Sequence, residues 1–507
     1  MNKGENHMKE SLDFIYKEQK EVSLYGGIAA LLGWDQMTYM PPKGSEERAN
    51  QLSLISLLTH ERVTSDVFYN HLKNLTAVAD TLSPKDRLVV TKLLKDVEKA
   101  RKLPAKFVET MAKTTSTAYG VWQEAREKNT FSLFKPYLEK IVELQKQYCE
   151  YIKLPGHPYN SLLDDYEEGM TVDVLKREFT VLRQQLVDLF QTITASPVYQ
   201  KQKPLTLNLD VPSQQELCRI LLTHMQLPFD RARLDVSAHP FTTSMGDDDV
   251  RLTTNYHREG FLSSFFSTAH EAGHALYELG VLKGEYKDTI ISDAPSLGMH
   301  ESQSRFWENM IARSKPFWIY FSPIFQNIAP NICKTMTIDL WYHTVNRVRP
   351  TFIRVEADEL TYCLHVILRF ELELDLLEGN ITVAELPECW NQKVTEFLGI
   401  TPRTDQEGVL QDMHWSGGEF GYFPTYAIGT IYASQLFRQI TKDLPSILDD
   451  ISRGDFTPIL HWLTKQVYDY GSLMTADDII KKTCGEGLNS KVFVRYLKEK
   501  YYPMYEV

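Results

Sequence analysis

Apolar residues recur at intervals of three and four along most of this chain, the spacing that gathers them on one face of an α-helix. Between residues 8 and 33 these positions are Leu12, Ile15, Tyr16, Leu24, Ile28, Leu31 and Leu32. Pro41-Pro42 interrupts, and a second helical pattern covers 46–60. The same spacing predicts helices at 84–102, 106–128, 131–152, 171–195, 213–226, 301–318, 334–347, 356–378, 384–398, 424–442, 455–469 and 488–501. One segment departs from it. Residues 250–256 alternate with period two and are rich in β-branched side chains, so they predict a strand. Gly246-Asp247-Asp248-Asp249 just before them is a turn signal, which predicts a small hairpin or ribbon. No repeat, low-complexity tract or Gly/Ser/Pro linker divides the chain. Residues 1–507 therefore read as a single, mainly α unit, with room for two lobes around a cleft.

Residues 259–280 predict one more helix, with Leu262, Phe265, Phe266, Ala269, Leu276 and Leu279 as its apolar surface and Gly280 as its stop. It contains His270-Glu271-Ala272-Gly273-His274, an H-E-x-x-H sequence. Two histidines four apart on a helix share a face and can reach one metal ion, with the intervening Glu aimed at a water on that ion. A catalytic zinc needs a third protein ligand. Glu301, in His300-Glu301-Ser302-Gln303, is the best candidate and His300 the alternative. Zinc would lower the pKa of its water and polarise a carbonyl, while Glu271 takes the water proton and passes it to a leaving amine. The resulting oxyanion needs further donors. The Gly- and aromatic-rich stretch 408–426 offers His414 and Tyr422, and His239 is a third possibility.

Composition narrows the setting. Lys and Arg number 55 against 67 Asp and Glu, a net charge of −12 with no basic block, so nucleic acid is not an expected partner. No apolar run approaches a membrane span, and the N-terminal stretch lacks the apolar core of a signal peptide. Cys149, Cys218, Cys333, Cys363, Cys389 and Cys484 form no C-x-x-C pair, which suits a reduced, cytoplasmic protein.

Six short motifs together resemble the M32 metallocarboxypeptidases, the thermostable carboxypeptidase 1 family. They are His239-Pro240-Phe241, Asp249-Val250-Arg251-Leu252-Thr253, H-E-x-x-H at 270–274, H-E-S-Q at 300–303, Ile353-Arg354-Val355-Glu356-Ala357-Asp358, and G-x-x-Q-D-x-H-W at 408–415. Trp34-Asp35-Gln36 and Gly421-Tyr422-Phe423-Pro424 also look like the family. The resemblance implies a large, mostly helical fold with a deep active-site cleft, a small β-sheet beside the H-E-x-x-H helix, and a homodimer. It implies His270, His274 and Glu301 as metal ligands and Glu271 as base, with Zn²⁺ or Co²⁺ as the metal. It also implies release of single amino acids from free peptide C-termini with broad specificity, C-terminal proline being disfavoured.

Such an enzyme must hold the substrate's terminal carboxylate, a task suited to a planar guanidinium. Arg354 is the first choice for this clamp, with Arg347 and Arg349 close by. Arg251, His239 and Gln411 complete the expected substrate contacts. The strand 250–256 is expected to offer its edge to an extended peptide, with Arg251 and Thr253 on one face.

Overall fold

The computed structural model describes residues 3–202 and 207–507; residues 1–2, part of the charged N-terminal stretch, and 203–206 lie outside them. The predicted helices form with small shifts at their ends. Side-chain caps set many of the starts. Ser65 accepts from the Phe68 N–H, Ser83 from Asp86, Thr171 from Val174 and Asp210 from Ser213, each satisfying a backbone donor that a helix start leaves free.

The apolar faces of these helices meet in two cores. Ile15, Phe68, Leu72, Leu75, Leu82, Val90, Leu94 and Val97 close a small one among the helices Lys3–Thr38, Asp66–Ala77 and Pro84–Arg101. A large one runs from Ala118 to Tyr505 and encloses the helix Phe261–Gly280.

A three-stranded sheet lies beside that helix. Strands β1 (Ala232–Val236), β2 (Thr242–Gly246) and β3 (Asp249–Thr254) stand in the order β1-β3-β2. β1 runs parallel to β3, and β2 pairs antiparallel with it through the turn at Gly246. Val250, Leu252 and Thr254 are buried on one face of β3, and the Thr254 hydroxyl bonds the Ser264 carbonyl and the Ser267 hydroxyl of the helix. The expected hairpin is present, but the expected open edge is not. β3 is the central strand, flanked on both sides because residues 232–236 supply a further strand that its neighbours' alternation did not announce.

The predicted helix 301–318 is three pieces. Leu297–Arg305 is α-helical, Phe306–Ala312 widens into a π turn, and a new helix, Lys315–Ile328, starts at the Ser314 cap with Pro316 in its first turn. The predicted 356–378 helix starts later, at Tyr362, because the Asp358 carboxylate turns back onto the N–H groups of Leu360 and Thr361.

Candidate metal centre and active site

The helices Phe261–Gly280 and Leu297–Arg305 cross at close range. A Cβ on Gly273 would lie 2.6 Å from the Gln303 carbonyl oxygen, so only glycine admits the second helix at this distance. Behind it, Gly429 on the helix Pro424–Asp443 leaves room for the Glu301 stem, which a Cβ there would meet at 2.7 Å. The result is a convergence of donors. Glu301 Oε2 lies 3.5 Å from His270 Nε2 and 3.4 Å from His274 Nε2, and one ligand atom from each residue lies within 4.8 Å of the other two. Two imidazoles and a carboxylate are the donor set that suits zinc and related divalent ions.

The outer atoms of these three side chains are themselves held. His270 Nδ1 meets Glu308 Oε2 at 2.9 Å, and Glu308 is in turn paired with Arg313 at 3.2 Å and Arg305 at 3.5 Å. Arg305 Nε also donates to Glu301 Oε1 at 2.7 Å. On the other histidine, His274 Nδ1 lies 2.5 Å from His300 Nδ1, and His300 Nε2 lies 2.7 Å from Glu278 Oε1. With His274 Nε2 turned to the candidate metal position, a proton on its Nδ1 would be donated to His300 Nδ1, leaving the His300 Nε2–H for Glu278. His300 thus has both ring nitrogens engaged and stands behind His274.

Burial and charge act in opposition here. Burial would raise the Glu301 carboxyl, but Arg305 and the two histidines outweigh it and hold it well below the usual carboxylate range. Burial lowers His274 to about 4, keeping it a neutral donor. For His270 burial is outweighed by Glu301 and Glu308, and its pKa is raised. Glu271 is buried and its carboxyl is pushed up mainly by that burial. The Thr242 hydroxyl donates to Glu271 Oε2 at 2.7 Å and also reaches the Glu271 carbonyl, which fastens β2 to the helix at this residue.

Glu278, Glu308 and Thr242 have no place in the sequence-derived site. Glu278 carried a signal, since it lies four residues beyond His274 on the same helical face. Glu308 carried a weaker one, seven beyond Glu301, and Thr242 none.

The stretch 408–426 folds over the other side. Asp412 sits between two buried guanidiniums, accepting from Arg354 Nη2 at 2.9 Å and from Arg369 Nη2 at 2.5 Å. Arg354 Nη1 also donates to the Tyr362 hydroxyl at 3.0 Å. The sequence makes Arg354 the first choice for binding a substrate carboxylate, but its guanidinium is buried and already paired. Gln411 is similarly committed. Its carbonyl accepts from the Arg354 backbone and from Arg369, and its amide donates to the Phe352 and Glu407 carbonyls. Both residues brace the loop, because a short stretch lacking regular structure can bury its polar groups only by pairing them.

His414 and Tyr422 come together in this loop, with ring centroids 5.1 Å apart. His414 Nε2 lies 3.2 Å from the Tyr426 hydroxyl, and burial drops its pKa to about 4. Tyr422 is half-buried; burial, with a contribution from the Glu301 carboxylate, pushes its phenol up to about 12. It therefore stays a proton donor at neutral pH.

The remaining candidates are spread more widely. Arg251 pairs with Asp249 through two bonds and lies 4.4 Å over the Trp34 ring, tying the N-terminal helix to the sheet. His239 is exposed between β1 and β2. Arg347 is half-buried and Arg349 exposed, and among the described residues neither has a carboxylate partner within ion-pair distance.

A family model described as carboxypeptidase Taq (M32) metallopeptidase matches residues 14–501. Carboxypeptidase 1 of Bacillus subtilis (strain 168) is 40% identical over 497 residues, 98% of either chain. Thermostable carboxypeptidase 1 of Pyrococcus furiosus is 38% identical, over 97% of this chain and 98% of the relative. Among solved structures, the M32 carboxypeptidase of Deinococcus radiodurans R1 superposes with a TM-score of 0.94 at 35% identity, over 98% of this chain and all of the other. A Pyrococcus furiosus carboxypeptidase superposes with a TM-score of 0.93 at 38% identity, over 97% and 99%.

Proposed function

Since the chain belongs to the carboxypeptidase Taq (M32) metallopeptidase family and is a metallocarboxypeptidase acting on peptides, we propose that it releases single amino acids from free C-termini with broad specificity, C-terminal proline being disfavoured. The observation that carries this reading is the convergence of His270, His274 and Glu301 on one point beside Glu271.

The family requires a divalent metal, and these three side chains would hold it. We propose Zn²⁺, with Co²⁺ able to replace it, because two imidazoles and one carboxylate match either ion. When bound, the ion polarises the scissile carbonyl and makes a water acidic. Glu271 takes the proton from that water and delivers it to the leaving amine. Tyr422, which keeps its proton, donates to the oxyanion, with His414 behind it and His239 at the exposed side. The terminal carboxylate goes to Arg347 or Arg349, whose guanidiniums are not committed to carboxylates of the described residues. Arg354 and Gln411 then act by holding the loop, and Arg251 by holding Trp34.

We further propose a homodimer in the cytoplasm. Six free cysteines suit a reducing compartment, and no helix among the described residues is long and apolar enough to cross a membrane.

The experiment is a comparison of one peptide as free acid and as C-terminal amide. The free acid should be cleaved far faster, and removal of the metal by a chelator should abolish both reactions. Equal cleavage of the amide would mean that no guanidinium reads the carboxylate, and an endopeptidase would then explain the same H-E-x-x-H helix.

A further inference from the structure

The α-helical segment that carries Glu301 begins at Leu297, only four residues before the ligand candidate, and continues into the π turn at Phe306. Its start is fixed from outside. Glu167 is 1% exposed and lies in the turn that follows the short helix Asn160–Leu163. Its Oε1 accepts from the Ser296 hydroxyl at 2.8 Å and its Oε2 from the Gly298 N–H at 3.0 Å. The backbones meet as well. Glu167 and Ser296 form an isolated antiparallel bridge, and the Leu297 N–H donates to the Tyr166 carbonyl at 3.0 Å. Ser296 is the N-cap of the Glu301 helix, accepting from Met299 N–H at 3.0 Å.

A buried carboxyl group with no charged partner is costly for the fold. Glu167 makes no ion pair among the described residues, and burial pushes its pKa up to about 8 against the two donors that favour its charge. Packing alone would be served by a leucine. What the carboxyl group adds is a fixed position and direction for Ser296 and Gly298, and Glu301 follows Gly298 by three residues, less than one helical turn. Tyr166, next to Glu167, packs edge-on against Tyr422 with centroids 5.1 Å apart, so the same turn touches both the ligand helix and the aromatic loop.

We infer that Glu167 is a positioning residue for the metal centre: through Ser296 and Gly298 it seats the Glu301 helix so that the third ligand meets His270 and His274. The inference rests on the reading of Glu301 as a metal ligand.

Zinc chloride titration of the metal-free protein by calorimetry tests it, alongside thermal melts of the metal-free forms. Glu167→Ala and Ser296→Ala should each weaken zinc binding by about tenfold, the usual scale for loss of a group that orients a ligand. Glu167→Gln keeps an acceptor for Gly298 and gains an amide that can donate to Ser296, so it should stay within about threefold of wild type. Leu182→Ala, a cavity in the large core, should lower the melting temperature and leave affinity unchanged. If Glu167→Ala does not fold, Ser296→Ala carries the comparison. Wild-type zinc affinity in Ser296→Ala and in any folded Glu167→Ala would overturn the inference. Wild-type affinity in Glu301→Ala would instead overturn the ligand assignment beneath it.

Discussion

Thr242 puts one hydroxyl on the Glu271 carboxyl group, and that bond sets part of its titration. A donor to a carboxylate favours its charged form and lowers its pKa. Burial works the other way and dominates. Thr242→Val removes the lowering contribution, so Glu271 should protonate at higher pH. Because Glu271 as the proposed base would work ionised, the acid limb of the kcat/KM profile should move to higher pH, and an unmoved limb would place the titration on another group. Glu271→Gln should retain the metal and lose at least ~10²–10⁴-fold in kcat, measured beside metal content in the same samples. At this scale the sequence is a good guide where chemistry imposes a spacing. His270, Glu271 and His274 are legible because a helix that offers two side chains to one metal ion needs them four residues apart. Glu278, Glu308, Thr242 and Glu167 touch the site through orientation alone, and their contacts depend on how elements cross.

The elements cross where side chains are missing. Gly273 lets the Glu301 helix approach, and an added methyl 2.6 Å from the Gln303 carbonyl must push that helix away. Gly273→Ala should therefore weaken metal binding by about tenfold or more, read by competition with a chelator. Overpacking should also cost about 1–3 kcal/mol of stability in the metal-free protein, measured by denaturant unfolding. Affinity equal to wild type would mean that the crossing adapts without moving Glu301. Most helices were legible in the 3.6-residue period, since a helix on a large core must be apolar on one face. Two that the period did not yield had signals all the same. Asp66–Ala77 has Ser65 as cap and Phe68, Leu72 and Leu75 on one face, and Ala476–Cys484 has Thr475 as cap and Gly485 as stop. The strand β1 was less legible, because only pairing with β3 distinguishes residues 232–236 from an extended loop.

Across the whole molecule, polar clusters join parts that the apolar cores leave separate. Lys92, Lys95 and Lys99 of the helix Pro84–Arg101 reach Asp164, Asp165 and Glu168, so the N-terminal helices are tied to the turn that holds Glu167. Farther in, Asp412 binds the 408–426 loop to Arg354 and Arg369. Its carboxyl lies far below the usual range, since the two guanidiniums overcome the effect of burial. The folded pKa is depressed, so this stabilisation is fully present above the unfolded carboxylate pKa and is lost as pH falls below it. Asp412→Asn should destabilise the protein by about 3–5 kcal/mol at neutral pH by leaving two buried cations unpaired. It should also flatten the decline of melting temperature on acidification. A decline as steep as in wild type would assign acid sensitivity to other carboxylates.

The π turn at Phe306–Ala312 bears on how chains of this fold can differ in length. Such a turn is what one residue inserted into an α-helix leaves behind. Glu308 and Arg313 are five apart, a separation at which an α-helix would point them about 140° away from each other. The widened turn brings them to 3.2 Å. Losing one residue between them would let the helix rewind with the same two side chains four apart, a spacing that an ordinary helix already favours. The carboxylate behind His270 is thus buffered against a length change at 309–312, and a gap there in a related chain is compatible with an intact site.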